Sequence, residues 1–208
     1  MTAPFGTLSV DLRAGRRVTV SRRTRETDIT LTLDLDGTGA TDVSTGVGFY
    51  DHLLGSFAHH GLFDLAVGAT GDLEVDEHHT VEDVALVLGA ALAEALGDRA
   101  GIGRFGDATV PMDEAVATAV VDAGGRPYAV LDIPFRGEQI GGLPTQLVEH
   151  ALEAFARAAG LTLHLRASGR NDHHVAEASF KALGRALRVA VAADPRRAGA
   201  ASTKGSLG

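Results

Sequence analysis

One segment occurs twice in the sequence, and this duplication constrains the fold more than any other feature. The copies are HHTVEDVALVLGAAL at residues 78–92 and HHVAEASFKALGRAL at residues 173–187, which align without a gap. Both begin HHxxE, and both continue with leucine, glycine and alanine at matching positions. Self-similarity at a constant offset is the signature of a repeated structural unit. We therefore expect two fused copies of one unit.

The duplication extends upstream of this segment. DHLLGSFAHHGLFDL, from Asp51, matches EHALEAFARAAGLTL once one residue is inserted, which pairs His52 with His150. Further upstream, ETDITLTLDLDG from Glu26 lies over EAVATAVVDAGG from Glu114. The expected halves are residues 16–105 and residues 106–195.

Each half shows the same order of predicted elements. Apolar and polar residues first alternate, at residues 29–35 and 116–121, and glycine-rich turns follow, which is typical of half-buried strands. Helices are predicted at residues 49–59, 78–96, 145–159 and 173–193, and short strands at residues 63–69 and 161–167. The unit strands–helix–strand–helix, present twice, predicts an α+β fold whose sheets are covered by helices on one face.

Composition excludes several classes of protein. The chain has no cysteine, which excludes disulfide scaffolds, thiol nucleophiles and thiolate metal sites, so any metal must bind histidine and carboxylate. The net charge of −8 argues against nucleic-acid binding. We also expect no membrane partner, because no apolar run is long enough to span a bilayer. The first residues show no secretory pattern, so a cytoplasmic location is expected.

The HHxxE segments carry the most informative side chains. In a helix, His78 and Glu82 lie on one face because they are four residues apart, whereas His79 points about 100° away. Adjacent histidines are therefore expected to serve different metal ions. A single HH pair is usually a surface feature or a helix cap. Its repetition with a matching glutamate favours metal binding, because packing alone does not demand buried imidazoles.

Adding the paired histidines of the preceding helices completes the predicted set of metal ligands. It consists of His52, His78, His79, Glu82, His150, His173, His174 and Glu177. Divided equally, each of two ions receives three histidines and one glutamate, which leaves open positions on a six-coordinate ion such as Mn²⁺. Asp83 is not included, because its counterpart in the second copy is Ala178.

Taken together, the motifs of residues 16–207 resemble those of the imidazoleglycerol-phosphate dehydratase family. They are RRTRETDI, STGVGFYDHLL, ATGDLEVDEHHTVEDVALVLG, RFGDATVPMDEA, GRPY, NDHHVAEASFKALGRAL and DPRRAGAASTKGSL. The resemblance implies a duplicated fold of the kind found in the second domain of ribosomal protein S5. It also implies two Mn²⁺ per subunit, in a homo-oligomer of twenty-four subunits whose neighbours complete the sites. The implied reaction of histidine biosynthesis removes water from imidazole glycerol phosphate and gives imidazole acetol phosphate.

The resemblance also implies roles for individual residues. It assigns proton transfer to Glu26, Glu177 and Lys181. It assigns contacts with the phosphorylated imidazole substrate to Glu26, Arg104, Asp113, Arg126, Lys181, Ser202 and Lys204. Residues 1–15 lie outside the resemblance and are expected to be a mobile leader, and the tail at residues 196–208 is expected to contribute to the phosphate site. Ser56 stands where relatives often have glutamine.

Two alternatives remain open from the residues alone. A two-metal hydrolase could use the same histidines and glutamates to activate water, and would not depend on an imidazole ring in its substrate. A non-enzymatic metal-binding oligomer would instead have closed sites. The cations Arg104, Arg126 and Lys204 count against metal storage, which needs no phosphate-binding group.

Overall fold

The chain folds into two halves that contain equivalent elements. The computed structural model describes residues 8–204. The first half contains strands β1 (Leu8–Ala14), β2 (Arg17–Arg23), β3 (Thr27–Asp34), β4 (Thr41–Ser44) and β5 (Asp64–Gly71), with helices α1 (Gly48–Gly61) and α2 (His78–Leu96). The second half contains strands β6 (Phe105–Met112), β7 (Ala115–Asp122), β8 (Tyr128–Asp132), β9 (Gln139–Ile140), β10 (Leu143–Pro144) and β11 (Thr162–Ser168), with helices α3 (Thr145–Ala159) and α4 (Asp172–Ala190).

The two main sheets share one topology. The order β2-β3-β5-β4 in the first sheet corresponds to β6-β7-β11-β8 in the second. In each sheet, the strand before the first helix runs parallel to the strand after it, and the other pairs are antiparallel. The first sheet adds β1 at its edge, and a short β9–β10 hairpin precedes α3. The predicted duplicated α+β fold is confirmed.

The helices lie between the two sheets. Helix α2 packs on β2 and β3, α4 packs on β6 and β7, and across the halves α2 contacts α3 while α1 contacts α4. Alternate residues of β3 and β7 are buried and the others are mostly exposed, so each sheet turns one face to the helices and the other to solvent. Within residues 8–204, no helix has the length and apolar character needed to cross a lipid bilayer.

Two glycines at equivalent repeat positions allow the halves to approach closely. A Cβ atom on Gly89 would lie 2.6 Å from the carbonyl oxygen of Phe155 and 2.7 Å from Cβ of Ala158, both in α3. A Cβ atom on Gly184 would meet the backbone of Phe57 and Gly61 in α1. Only a residue without a side chain fits at either helix crossing.

The structure corrects two expectations about the ends of elements. Residues 8–14 of the expected leader form β1, which pairs with β2 and places Val10 opposite Val20. The alternating Leu8, Val10 and Leu12 are the sequence signal for this strand. Residues 1–7 lie outside the described residues. Helix α4 ends at Ala190 rather than near residue 193, because Ala193 turns away to pair with Ile102.

We predict that Gly89→Ala lowers the free energy of unfolding by about 1–3 kcal/mol, because the added methyl group overpacks the contact between α2 and α3. Urea unfolding of metal-stripped protein measures this. The matched control is Gly55→Ala in α1, where a Cβ atom meets nothing within 4 Å. That control should raise stability by up to about 1 kcal/mol through helix propensity. Equal effects of the two substitutions would contradict the packing role.

Candidate metal centres

The first candidate centre joins α1 of one half to α4 of the other. Nε2 of His52 lies 2.8 Å from Oε2 of Glu177, and Nε2 of His173 lies 3.2 Å from the same oxygen. Glu177 is buried, whereas both histidine side chains are partly exposed. The three ligand atoms lie within 4.8 Å of one another. They form a compact His–His–Glu set, as the sequence predicts for metal binding.

The second candidate centre joins α2 to α3 in the equivalent way. Nε2 of His78 lies 3.9 Å from Oε2 of Glu82, and Nε2 of His150 lies 3.4 Å from Oε1. The buried Nε2 of His150 forms no hydrogen bond within residues 8–204. A buried polar atom that forms no hydrogen bond costs free energy. A divalent cation shared with His78 and Glu82 would satisfy it, so the residues fit a metal.

The remaining two predicted ligands point away from these clusters. The ring of His79 is inclined by 85° to that of His78, and the ring of His174 by 90° to that of His173. Nδ1 of His79 lies 3.0 Å from a carboxylate oxygen of Asp72, and Nδ1 of His174 lies 2.8 Å from Oε2 of Glu114. One chain therefore brings six of the eight predicted ligands into two clusters and presents the other two elsewhere.

Lys181 adds a cation to the first cluster. Its Nζ lies 2.7 Å from Oε1 of Glu177. Burial alone would raise the pKa of Glu177, but hydrogen bonds from His52 and Lys181 outweigh burial and lower this pKa to about 2. Glu177 is thus a carboxylate with both oxygens engaged. The cluster opens into a cleft of about 410 Å³ that Ser56 and His60 also line.

Asp83, the last residue of HHTVED, forms a buried ion pair with the first sheet. Its carboxylate is buried and binds Arg22 of β2 and the hydroxyl group of Thr27 in β3. This ion pair joins α2 to the first sheet.

Two of the predicted phosphate-binding arginines meet around one acid. Arg104 donates hydrogen bonds from Nε and Nη2 to Asp122, at 2.7 and 2.8 Å, and from Nη1 to the carbonyl oxygen of Ala201 at 2.6 Å. Nη2 of Arg126 lies 4.0 Å from Asp122, and its side chain is 70% exposed. Arg104 lowers the pKa of Asp122, so this acid stays ionised. The described part of the tail, which includes Ser202 and Lys204, follows directly from Ala201.

Glu26 and Asp113 occupy equivalent turns of the two sheets. The carbonyl oxygen of Glu26 accepts a hydrogen bond from the backbone N–H of Asp72, beside His79. Oδ2 of Asp113 lies 3.8 Å from Nε2 of His174, and the backbone of Asp113 has a left-handed φ of 49°. Within one chain, the predicted catalytic residues are thus divided: Glu26 lies beside His79, and Glu177 and Lys181 lie beside His52.

Comparison with known proteins identifies the family. The family model described as imidazoleglycerol-phosphate dehydratase matches residues 45–187. The chain belongs to the imidazoleglycerol-phosphate dehydratase family. An imidazoleglycerol-phosphate dehydratase from Methanoculleus marisnigri is 58% identical over 188 residues, which cover 90% of this chain and 97% of that relative. One from Acidiphilium cryptum is 55% identical over 194 residues, which cover 92% and 99%.

Solved structures agree with this assignment. Imidazoleglycerol-phosphate dehydratase from Staphylococcus aureus matches with a TM-score of 0.77 at 36% identity, over 85% of this chain and 98% of that one. The enzyme from Pyrococcus furiosus, in complex with (S)-C348, matches with a TM-score of 0.78 at 37% identity, over 90% and 99%. The chain is therefore a hydro-lyase of histidine biosynthesis, an imidazoleglycerol-phosphate dehydratase that acts on a small phosphorylated substrate. This excludes the hydrolase and metal-storage alternatives.

We predict that Asp83→Asn destabilises the dehydratase without removing metal ligands. Weakening a buried ion pair by removing one charge should lower the free energy of unfolding by about 3 kcal/mol. Asp28→Asn is the matched control, because the contact of Asp28 with Arg23 is exposed and should be worth less than about 1 kcal/mol. Thermal unfolding and metal content of the folded protein check both. Loss of metal from folded Asp83→Asn protein would make Asp83 part of a centre.

Proposed function

We propose that the enzyme binds two Mn²⁺ per subunit at the two clusters and dehydrates imidazole glycerol phosphate to imidazole acetol phosphate there. The observation that carries this proposal is the pair of equivalent His–His–Glu clusters, each assembled from both halves of the chain. Histidine nitrogen and carboxylate oxygen suit Mn²⁺, and three protein ligands leave positions on a six-coordinate ion for substrate and further ligands.

His79 and His174 supply the remaining protein ligands from neighbouring subunits. Both belong to the HHxxE motifs of this chain, yet each ring contacts a carboxylate outside the cluster that the adjacent histidine joins. A ligand directed outward can reach a cluster on another copy of the chain. An oligomer with closed symmetry uses the same contact on every subunit. This arrangement supports the twenty-four-subunit assembly that the family resemblance implies.

Glu26 and Lys181 are the proposed proton-transfer groups. When bound, two divalent cations supply Lewis-acid stabilisation of negative charge on the imidazole ring of the substrate. Glu26 is exposed and can accept a proton, and the Lys181 ammonium group can donate one. Glu177 acts as a ligand, because His52 and His173 contact one of its oxygens and Lys181 the other. Since Glu26 lies beside His79, it reaches the substrate together with that outward ligand.

Arg104, Arg126, Ser202 and Lys204 form the proposed phosphate site. Asp122 and the tail hold Arg104 in place, whereas the exposed guanidinium of Arg126 remains able to turn towards an anion. Guanidinium groups bind phosphate oxygens with paired N–H donors. Asp113, exposed beside His174, is placed to accept a hydrogen bond from a substrate hydroxyl group. A doubly charged substrate does not cross membranes unaided, which favours a cytoplasmic location for the enzyme.

We predict that metal-stripped enzyme is inactive and that Mn²⁺ restores dehydration, with about two ions bound per chain. Elemental analysis, a turnover assay and sedimentation velocity on stripped and reloaded protein measure metal content, activity and assembly. Ligands contributed across subunits should also couple metal loading to assembly. Full turnover after complete removal of divalent metal would contradict the proposed chemistry. Sedimentation that never exceeds that of a single chain would contradict the shared sites.

We also predict that Glu26→Gln lowers kcat by about 10²–10⁴-fold, because the amide cannot accept the proton. Metal content should remain that of the wild-type enzyme. The control is Glu94→Gln, which removes an equal charge from a half-exposed pair with Arg13 and should leave kcat unchanged. If Glu26→Gln turned over normally, Glu26 would have no role in proton transfer.

A further inference from the structure

We propose that Asp72 and Glu114 are positioning residues that hold the rings of His79 and His174 with the proton on Nδ1. Nε2 of each ring is then left with its lone pair, ready to bind a metal ion of another subunit. The inference rests on the proposed metal role of the two outward histidines. It goes beyond that role by naming the two acids that hold the rings and the histidine tautomer that metal binding requires.

In the first half, Asp72 fixes the proton position of His79. Its two carboxylate oxygens lie 3.2 and 3.0 Å from Nδ1. An ionised carboxylate can only accept hydrogen bonds, so the facing ring nitrogen must donate. A neutral imidazole carries one N–H group, and its lone pair therefore lies on Nε2. The backbone N–H of Asp72 donates to the carbonyl oxygen of Glu26 at 3.1 Å, which anchors the loop.

In the second half, Glu114 fixes the proton position of His174, and backbone hydrogen bonds hold the Glu114 carboxylate in place. Its Oε2 lies 2.8 Å from Nδ1 of His174. Its Oε1 accepts hydrogen bonds from the backbone N–H groups of Arg170 and Asn171, at 3.0 and 2.7 Å. The side-chain amide nitrogen of Asn171 lies 3.4 Å from Nε2 of His174. An amide N–H group donates to Nε2 only if that nitrogen carries its lone pair, which agrees with a proton on Nδ1. Oδ2 of Asp113 also faces Nε2, but at 3.8 Å it lies beyond hydrogen-bond distance.

The two positioning acids come from different places in the repeat. Glu114 occupies the position that corresponds to Glu26 in the duplicated sequence. In the first half, Asp72 of the β5–α2 loop takes over the contact with the outward histidine. The carboxylate of Glu26 remains exposed beside His79. The glutamate at this repeat position therefore holds a histidine ligand in the second half. In the first half, its carboxylate is available for proton transfer.

Glu114→Gln tests the inference without removing the anchor. The amide oxygen can still accept from Arg170 and Asn171, but the amide N–H₂ group then faces Nδ1 of His174. Nδ1 must become the acceptor, which moves the ring proton to Nε2. We expect one histidine to change from the Nδ1–H to the Nε2–H tautomer in ¹⁵N NMR spectra of metal-stripped protein. We expect Mn²⁺ binding to weaken about 10–100-fold.

Three further variants separate positioning from a general loss of structure or charge. Asp72→Asn should weaken the preference of His79 for the Nδ1–H tautomer, because both side-chain oxygens of Asp72 face Nδ1 and the new amide can turn either end towards it. Glu114→Asp keeps an acceptor-only carboxylate and should retain the wild-type tautomer. Asp107→Asn removes one exposed charge from the neighbouring strand β6 and should leave both the tautomers and Mn²⁺ affinity unchanged. Thermal unfolding of each metal-stripped variant monitors the fold.

Wild-type tautomer and Mn²⁺ affinity in both Glu114→Gln and Asp72→Asn would overturn the inference. So would an equal loss of affinity in Asp107→Asn, because charge alone would then explain the effect. If the wild-type protein bound no Mn²⁺, the proposed metal chemistry would fail. The tautomers of metal-stripped protein would still show whether the two acids position the rings.

Discussion

The close crossing of helices from opposite halves is the constraint on which the rest of the structure depends. Gly184 lets α4 approach α1, and Gly89 lets α2 approach α3. Each crossing carries one His–His–Glu cluster, because the first histidine lies on one helix and the HHxxE motif on the other. The hydrophobic packing of the halves therefore sets the distances between the ligands. Stability and ligand geometry are consequences of the same contacts.

The equivalent clusters have acquired different surroundings. Lys181 is held against Glu177 at 2.7 Å, and the glutamate side chain is 9% exposed. In the other cluster, Nη2 of Arg157 lies 3.5 Å from Glu82, whose side chain is 28% exposed. A compact ammonium group and a delocalised guanidinium group differ in proton transfer as well as in shape. The pseudo-symmetric scaffold thus supports two chemically distinct environments.

Sequence periodicity predicted most of the fold, because the duplicated segments carry strong helix and strand patterns. The shared helix face of each His–Glu pair on α2 and α4 follows from spacing alone, since residues i and i+4 lie on one side of a helix. Spacing does not show which helices meet across the halves, so the pairing of His52 with Glu177 and of His150 with Glu82 required the structure. The partners Asp72 and Glu114 come from loops and turns, where no periodic signal exists. Strand β1 lies outside the motifs that resemble the family, and the alternation of Leu8, Val10 and Leu12 is its only signal in the sequence.

Neither half contains a complete cluster by itself, since every cluster takes one histidine from one half and a His–Glu pair from the other. Two identical half-chains related by a two-fold axis would form both clusters at once, with equal ligands and equal surroundings. The present chain therefore has the geometry of a fused homodimer. In two identical half-chains, every substitution would appear in both clusters. After fusion of the two genes, a substitution would change one cluster only. The difference between Glu26 and Glu114 is a form of specialisation that a symmetric ancestor could not have had.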